Sequence, residues 1–342
     1  MGGSLSSGKK KGLDAVSDAR GVIAALAIDQ RSAMRELFGR AIGVPPEDVP
    51  VEKLVQYKEA VSRVLTSHAS AILLDPEFGL PATKKRVKGT GLLLAYEKTG
   101  YDKTVPGRLP RLLEHWSAER LVKVGADCIK LLLYYSSTSS EEINDQKHVL
   151  VERVGAECAA VDVPFFLELV NYAEGLDDKS AAFARMKPAV VAQGMREFSR
   201  PRYRVDVLKV GVPVNPEFVE GSPSKGKETL HSRSQALELY RHAAAEAAGV
   251  PFIYLSQGVT NEMFQFALEL AADAGVTFSG VLCGRATWKD GVDVLVKQGE
   301  AALEQWLQTT GVQNIENVNR HLKAAVPWQT ALERKGIAKS HN

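Results

Sequence analysis

Eight short apolar runs, rich in β-branched and aromatic residues, recur along the chain at residues 21–29, 71–75, 92–96, 128–134, 165–170, 207–212, 252–256 and 278–285. Longer stretches with helical periodicity separate them. Residues 51–68 carry Leu54, Val55, Ala60, Val61, Val64 and Leu65, and residues 234–248 are rich in Ala, Leu and Glu, so both predict amphipathic helices. Runs that are apolar throughout are strands buried on both faces, and their alternation with helices implies a parallel sheet. Eight such repeats predict an α/β fold, a single (β/α)8 barrel, more than an open doubly wound sheet. No G-x-G-x-x-G follows the first run, which weakens the dinucleotide-binding alternative.

The barrel is expected to span residues 21–328, between a Gly/Ser/Lys-rich N-terminal arm (1–20), expected to be flexible, and a polar C-terminal tail (329–342). Residues 171–204 and 213–234 are long excursions on the side where barrels build active sites, and 221–227 reads as a mobile loop. The 342 residues are 45% hydrophobic and 25% charged, ordinary for a globular chain and excluding disorder or a small disulfide scaffold. Forty-three Lys and Arg balance 41 Asp and Glu to a net +2, and the one basic cluster, Lys9 to Lys11, lies in the arm, so no nucleic-acid partner is expected. No apolar run approaches the roughly 18 residues of a membrane span. Val22 to Ile28 follows the lysines as an export signal would, but it is short and runs into Asp29-Gln30-Arg31, so it reads as a strand. Cys128, Cys158 and Cys283 form no C-x-x-C pair and fit a reducing compartment, the cytoplasm.

Charged residues inside or at the carboxyl ends of the apolar runs carry the candidate chemistry: Asp29, Asp75, Lys130, Glu168, Lys209 and Arg285. Buried charge needs a partner or a function, and in a barrel these side chains should gather at the mouth. Lys209 and Lys130 are both bracketed by aliphatic residues. A desolvated lysine with a second cation nearby tends toward the neutral amine that attacks a carbonyl. Asp29 and Glu168 could take and return protons. Lys130 and Glu168 alone also fit a structural ion pair. Four ionisable groups at corresponding ends of strands one, four, five and six favour a site. Arg285 after Gly284, and Ser256-Gln257-Gly258, close the eighth and seventh runs, where barrels commonly bind a phosphate. Arg31 could hold a second phosphate, or have only a helix-capping or surface role. Asp75, before Pro76, reads as a turn cap outside the core site. The seven histidines show no H-x-H or H-E-x-x-H spacing, so no histidine-bound catalytic metal is expected.

Asp29-Gln30-Arg31, Leu73-Leu74-Asp75-Pro76-Glu77-Phe78-Gly79-Leu80-Pro81-Ala82, Leu92-Leu93-Leu94-Ala95-Tyr96-Glu97-Lys98-Thr99-Gly100-Tyr101 and Gly280-Val281-Leu282-Cys283-Gly284-Arg285-Ala286-Thr287-Trp288 resemble, in this order, the class I tagatose 1,6-bisphosphate aldolases of bacteria. The resemblance runs from about Leu13 to Trp328. It implies a barrel that cleaves a ketohexose 1,6-bisphosphate to glycerone phosphate and glyceraldehyde 3-phosphate without metal or other cofactor. It also implies Lys209 as the Schiff-base nucleophile, Glu168 in proton transfer and Lys130 as the second active-site lysine. Asp29 and Gln30 would contact substrate, and Ser256, Gly258, Gly284 and Arg285 would bind phosphate. The expected partner is a small sugar bisphosphate, and a homodimer is left open. The alternatives are a Schiff-base aldolase for another phosphorylated sugar, such as a deoxyribose phosphate or sulfofructose phosphate, and a non-catalytic sugar-phosphate sensor.

Overall fold

A computed structural model describes residues 5–102, 104–224 and 228–339. Eight parallel strands close in chain order into one barrel: β1 (Ile23–Ala27), β2 (Ala71–Leu74), β3 (Gly91–Ala95), β4 (Cys128–Tyr135), β5 (Phe165–Asn171), β6 (Val207–Gly211), β7 (Phe252–Leu255) and β8 (Gly280–Cys283). Each of the eight apolar runs overlaps one strand, with β3, β4 and β5 each reaching one residue beyond its run, and the single (β/α)8 expectation holds. The helices read from periodicity form at Val51–Leu65, continued by a 3-10 turn Thr66–His68, and at Arg233–Ala245.

Strand alternation decides which side chains enter the barrel. Ile23, Ala25 and Ala27 of β1, Cys128 of β4, Phe166 of β5 and Val207 of β6 belong to one interior cluster. Two residues further along the same inward faces stand Lys130, Glu168 and Lys209. The parity that buries the aliphatic floor therefore aims these charges up the barrel axis. β1 and β8 close the sheet with Ile23 opposite Gly280. At this seam Gly280 has φ 137°, and an added Cβ would lie 2.0 Å from the Ile23 carbonyl oxygen, so only glycine fits.

The ends of the chain depart from expectation. Within the stretch read as a flexible arm, Ser7–Ala15 is a helix, and its Leu13, with Val16 just beyond, joins the interior cluster from below. The Gly8 amide donates to Asp162 Oδ2 at 2.8 Å, and Lys9 Nζ meets Asp206 Oδ2 at 2.8 Å. Gly, Ser and Lys dominate the segment, so the pattern concealed a helix that docks through two apolar side chains. Trp328, expected as the last barrel residue, opens the helix Trp328–Lys339 and is 3% exposed in the same cluster, so the tail begins as packed structure. Of the expected mobile loop 221–227, residues 225–227 lie outside the described residues, as do the arm's first four and the tail's last three. No described helix is long and apolar enough to cross a membrane.

Candidate active site

The carboxyl ends of the strands surround a cavity of about 1100 Å³, lined by Asp29, Glu168, Lys209, Ser256, Gly258 and Arg285 among others. Glu168 and Lys209 are register partners on neighbouring strands. Lys209 Nζ lies 2.7 Å from Glu168 Oε2, and the same oxygen is 2.9 Å from Lys130 Nζ. Lys130, with no exposed surface, also meets Asp29 Oδ2 at 2.8 Å and Glu97 Oε1 at 2.7 Å. The two lysines thus share one carboxylate oxygen, and only Lys130 has two further carboxylates.

That asymmetry separates their chemistry. Burial alone would push the Lys130 ammonium down, but Asp29, Glu168 and Glu97 together hold it well above the usual lysine range. Burial pushes the Asp29 and Glu168 carboxyls up, yet Lys130 and Lys209 hold both below the usual carboxylate range. The three carboxylates therefore favour Lys130 as the ammonium, the form that lacks the lone pair a nucleophile needs. Lys209 meets one carboxylate among the described residues, that of Glu168.

On the other side of the cavity, Ser256 follows β7, Gly258 has φ 79°, and Gly284 and Arg285 follow β8. An added Cβ at Gly258 would come within 2.7 Å of the Arg285 guanidinium, so glycine lets that cation lie against the turn. Arg285 makes no ion pair among the described residues. A half-buried guanidinium against a glycine turn suits a phosphate. Gln30 Nε2 donates to Asp29 Oδ1 at 3.1 Å, while its buried Oε1 has no hydrogen-bond partner among the described residues.

Arg31 lines the cavity and stands at the N-cap of the helix Ser32–Ile42, where its carbonyl accepts the Arg35 amide at 2.9 Å while its side chain makes no cap hydrogen bond. It is 4% exposed and donates through Nη1 to Glu77 Oε2 (2.7 Å) and the Glu97 carbonyl (2.8 Å), and through Nη2 to Glu97 Oε1 (3.3 Å). Its side-chain partners are thus the carboxylates of Glu77 and Glu97 and the Glu97 carbonyl. Two buried residues escaped the sequence reading. Glu97 joins Lys130 to Arg31 and accepts the Leu132 amide at 2.9 Å; its signal was a carboxylate at the end of the third apolar run. Lys58 occupies the apolar stripe Leu54, Lys58, Val61, Leu65 and donates to the Ile28 carbonyl (2.6 Å), the Gln30 carbonyl (3.0 Å) and Asp75. It thereby pins the backbone that carries Asp29 and Gln30. Asp75 caps its turn as expected, accepting the Glu77 and Phe78 amides, and is also the buried partner of Lys58. Among the described residues, no group of three or more His, Cys, Asp or Glu is arranged to hold a metal ion.

The chain is 52% identical over 332 residues to tagatose 1,6-diphosphate aldolase 2 of Enterococcus faecalis, covering 96% of this chain and 98% of that one. It is 48% identical over 326 residues to tagatose 1,6-diphosphate aldolase of Lactococcus lactis, covering 95% and 98%. In fold it is similar to the fructose-bisphosphate aldolase of Plasmodium falciparum, with a TM-score of 0.67 at 15% identity over 95% of this chain and 99% of that one. It is also similar to a Schiff-base-forming fructose-1,6-bisphosphate aldolase, with a TM-score of 0.54 at 15% identity over 90% and 98%. Residues 23–290, from the first residue of β1 to just past Arg285, match the model of the DeoC/LacD family aldolases, and the chain belongs to that family.

Proposed function

We propose that the chain is a metal-independent Schiff-base lyase that cleaves D-tagatose 1,6-bisphosphate, and also fructose 1,6-bisphosphate, to glycerone phosphate and D-glyceraldehyde 3-phosphate. Relatives named tagatose 1,6-diphosphate aldolase, about half identical over nearly their whole length, support the substrate class. The observation that carries the mechanism is the Glu168 oxygen shared by Lys209 and Lys130. We place the enzyme in the cytoplasm, where its three buried, unpaired cysteines would stay reduced.

Glu168 takes a proton from Lys209, and the neutral amine attacks the C2 carbonyl. Glu168 returns its proton to the carbinolamine hydroxyl, which leaves as water to give an iminium and restores the Glu168 carboxylate. A carboxylate, Glu168 directly or through water, then removes the C4 hydroxyl proton, the C3–C4 bond breaks, and its electron pair moves into the iminium to form an enamine. Protonation at C3 and hydrolysis release glycerone phosphate and free Lys209. Lys130, kept cationic by three carboxylates, holds Glu168 and substrate hydroxyls throughout, and Asp29 assists it. Borohydride added with glycerone phosphate should leave a stable mass on the Lys209 peptide, and label on Lys130 alone would overturn the assignment. Turnover should survive exhaustive chelation, because the iminium is the electrophile a metal would otherwise supply. Loss of turnover restored by zinc would reject this mechanism.

A further inference from the structure

Lys187, on the helix Ala181–Phe198, borders the same cavity and is 4% exposed. Arg31, Lys130 and Lys209 each contact a carboxylate. Lys187 contacts none among the described residues. Its Nζ donates instead to Gln257 Oε1 at 2.8 Å and to the Val214 carbonyl at 3.2 Å. It thus joins the loop after β6 to the loop after β7. Burial pushes its ammonium down to about 8, with Asp178 opposing from a distance, as befits a cation without a direct counter-ion.

Gln257 is the residue that needs holding. It has φ 49°, a left-handed conformation unfavourable for a residue with a Cβ, and precedes Gly258 at φ 79°. Its amide is trapped on a second side, since a Cβ on Gly211 would lie 2.8 Å from Gln257 Nε2. The turn so fixed runs directly from Ser256 to the glycine against which Arg285 lies.

Resting on the aldolase reading, we propose that Lys187 is a positioning residue for phosphate: by clamping Gln257 it sets the Ser256–Gly258 turn on which the substrate's phosphate docks beside Arg285. Nothing in the carbonyl chemistry requires Lys187, so its loss should act only on ligands that carry the phosphate.

The test compares borohydride trapping with glycerone phosphate and with unphosphorylated dihydroxyacetone. Lys187→Met should raise the half-saturating concentration of glycerone phosphate about tenfold, or ~1.4 kcal/mol, leave that of dihydroxyacetone unchanged, and raise KM for the bisphosphate with little change in kcat. Lys187→Arg should recover most of the loss. Gly211→Ala, which displaces Gln257 without touching the lysine, should reproduce the Lys187→Met pattern. Unchanged half-saturation for both ketones in Lys187→Met and Gly211→Ala, or an equal rise for both ketones, would overturn the proposal. Wild-type protein that traps neither ketone would instead overturn the aldolase reading, and this inference with it.

Discussion

Arg285 offers the clearest prediction from a single residue. With no ion pair among the described residues and the cavity in front of it, truncation should remove one charge-assisted contact of about 1.5–3 kcal/mol. Arg285→Ala should raise KM strongly for phosphorylated substrates and leave thermal stability unchanged; an unchanged KM would move the phosphate site elsewhere. Glu97 predicts the opposite pattern, because its carboxylate neutralises both Lys130 and Arg31 inside the barrel. Glu97→Ala removes one carboxylate from each of two buried cations, leaving Asp29 and Glu168 on Lys130 and Glu77 on Arg31, and should cost about 1.5–3 kcal/mol of stability, measured as a fall in denaturant midpoint. Asp29, Lys130, Glu168 and Lys209 were legible because a charge inside an apolar run is conspicuous. Glu97, one residue past its run, and Lys58, a single polar residue in a helical stripe, were each hidden by innocuous neighbours. Their meaning depends on which strand ends face one another, which sequence separation conceals. The bonding of Arg31 was likewise invisible, since its partners Glu77 and Glu97 lie on loops after two other strands.

At the scale of elements, the barrel was readable because strands covered on both faces are apolar throughout, and all of β1, β2 and β3 is buried. The N-terminal helix was not readable, since Ser7–Ala15 docks with so little apolar surface. Yet it closes the end of the barrel opposite the catalytic cavity, which separates stability from chemistry. Leu13→Ala should destabilise the fold by about 2–5 kcal/mol and lower Tm while leaving KM and kcat within about twofold. A large change in KM without loss of stability would show that this end communicates with the site.

Across the whole molecule, the interior carboxylates make stability depend on pH. Asp29 and Glu168 hold protons less readily in the folded chain than in the unfolded one. Their contribution is therefore complete above the unfolded range near 4 and is lost as pH falls through the lower folded values. Urea midpoints should fall between about pH 5 and 3, and the slope should diminish in Asp29→Asn; an equally steep slope in that variant would place the acid sensitivity in other carboxylates. The cavity as a whole also bears on choice between epimers. If both phosphates and C2 supply most of the binding and Glu168 reaches the C4 hydroxyl through a water, the kcat/KM ratio for tagatose and fructose bisphosphates should stay far below the 10⁴ or so available to rigid direct contacts. A ratio on that larger scale would mean a fixed contact at C4. The seam where Ile23 meets Gly280 has a consequence for how the chain is made. β1 leaves the ribosome more than two hundred residues before the strand that completes its pairing, so one edge of the nascent sheet stays open for most of synthesis. Ring closure between such distant segments favours slow folding, and a stalled or truncated chain would present an adhesive edge that the finished enzyme does not possess.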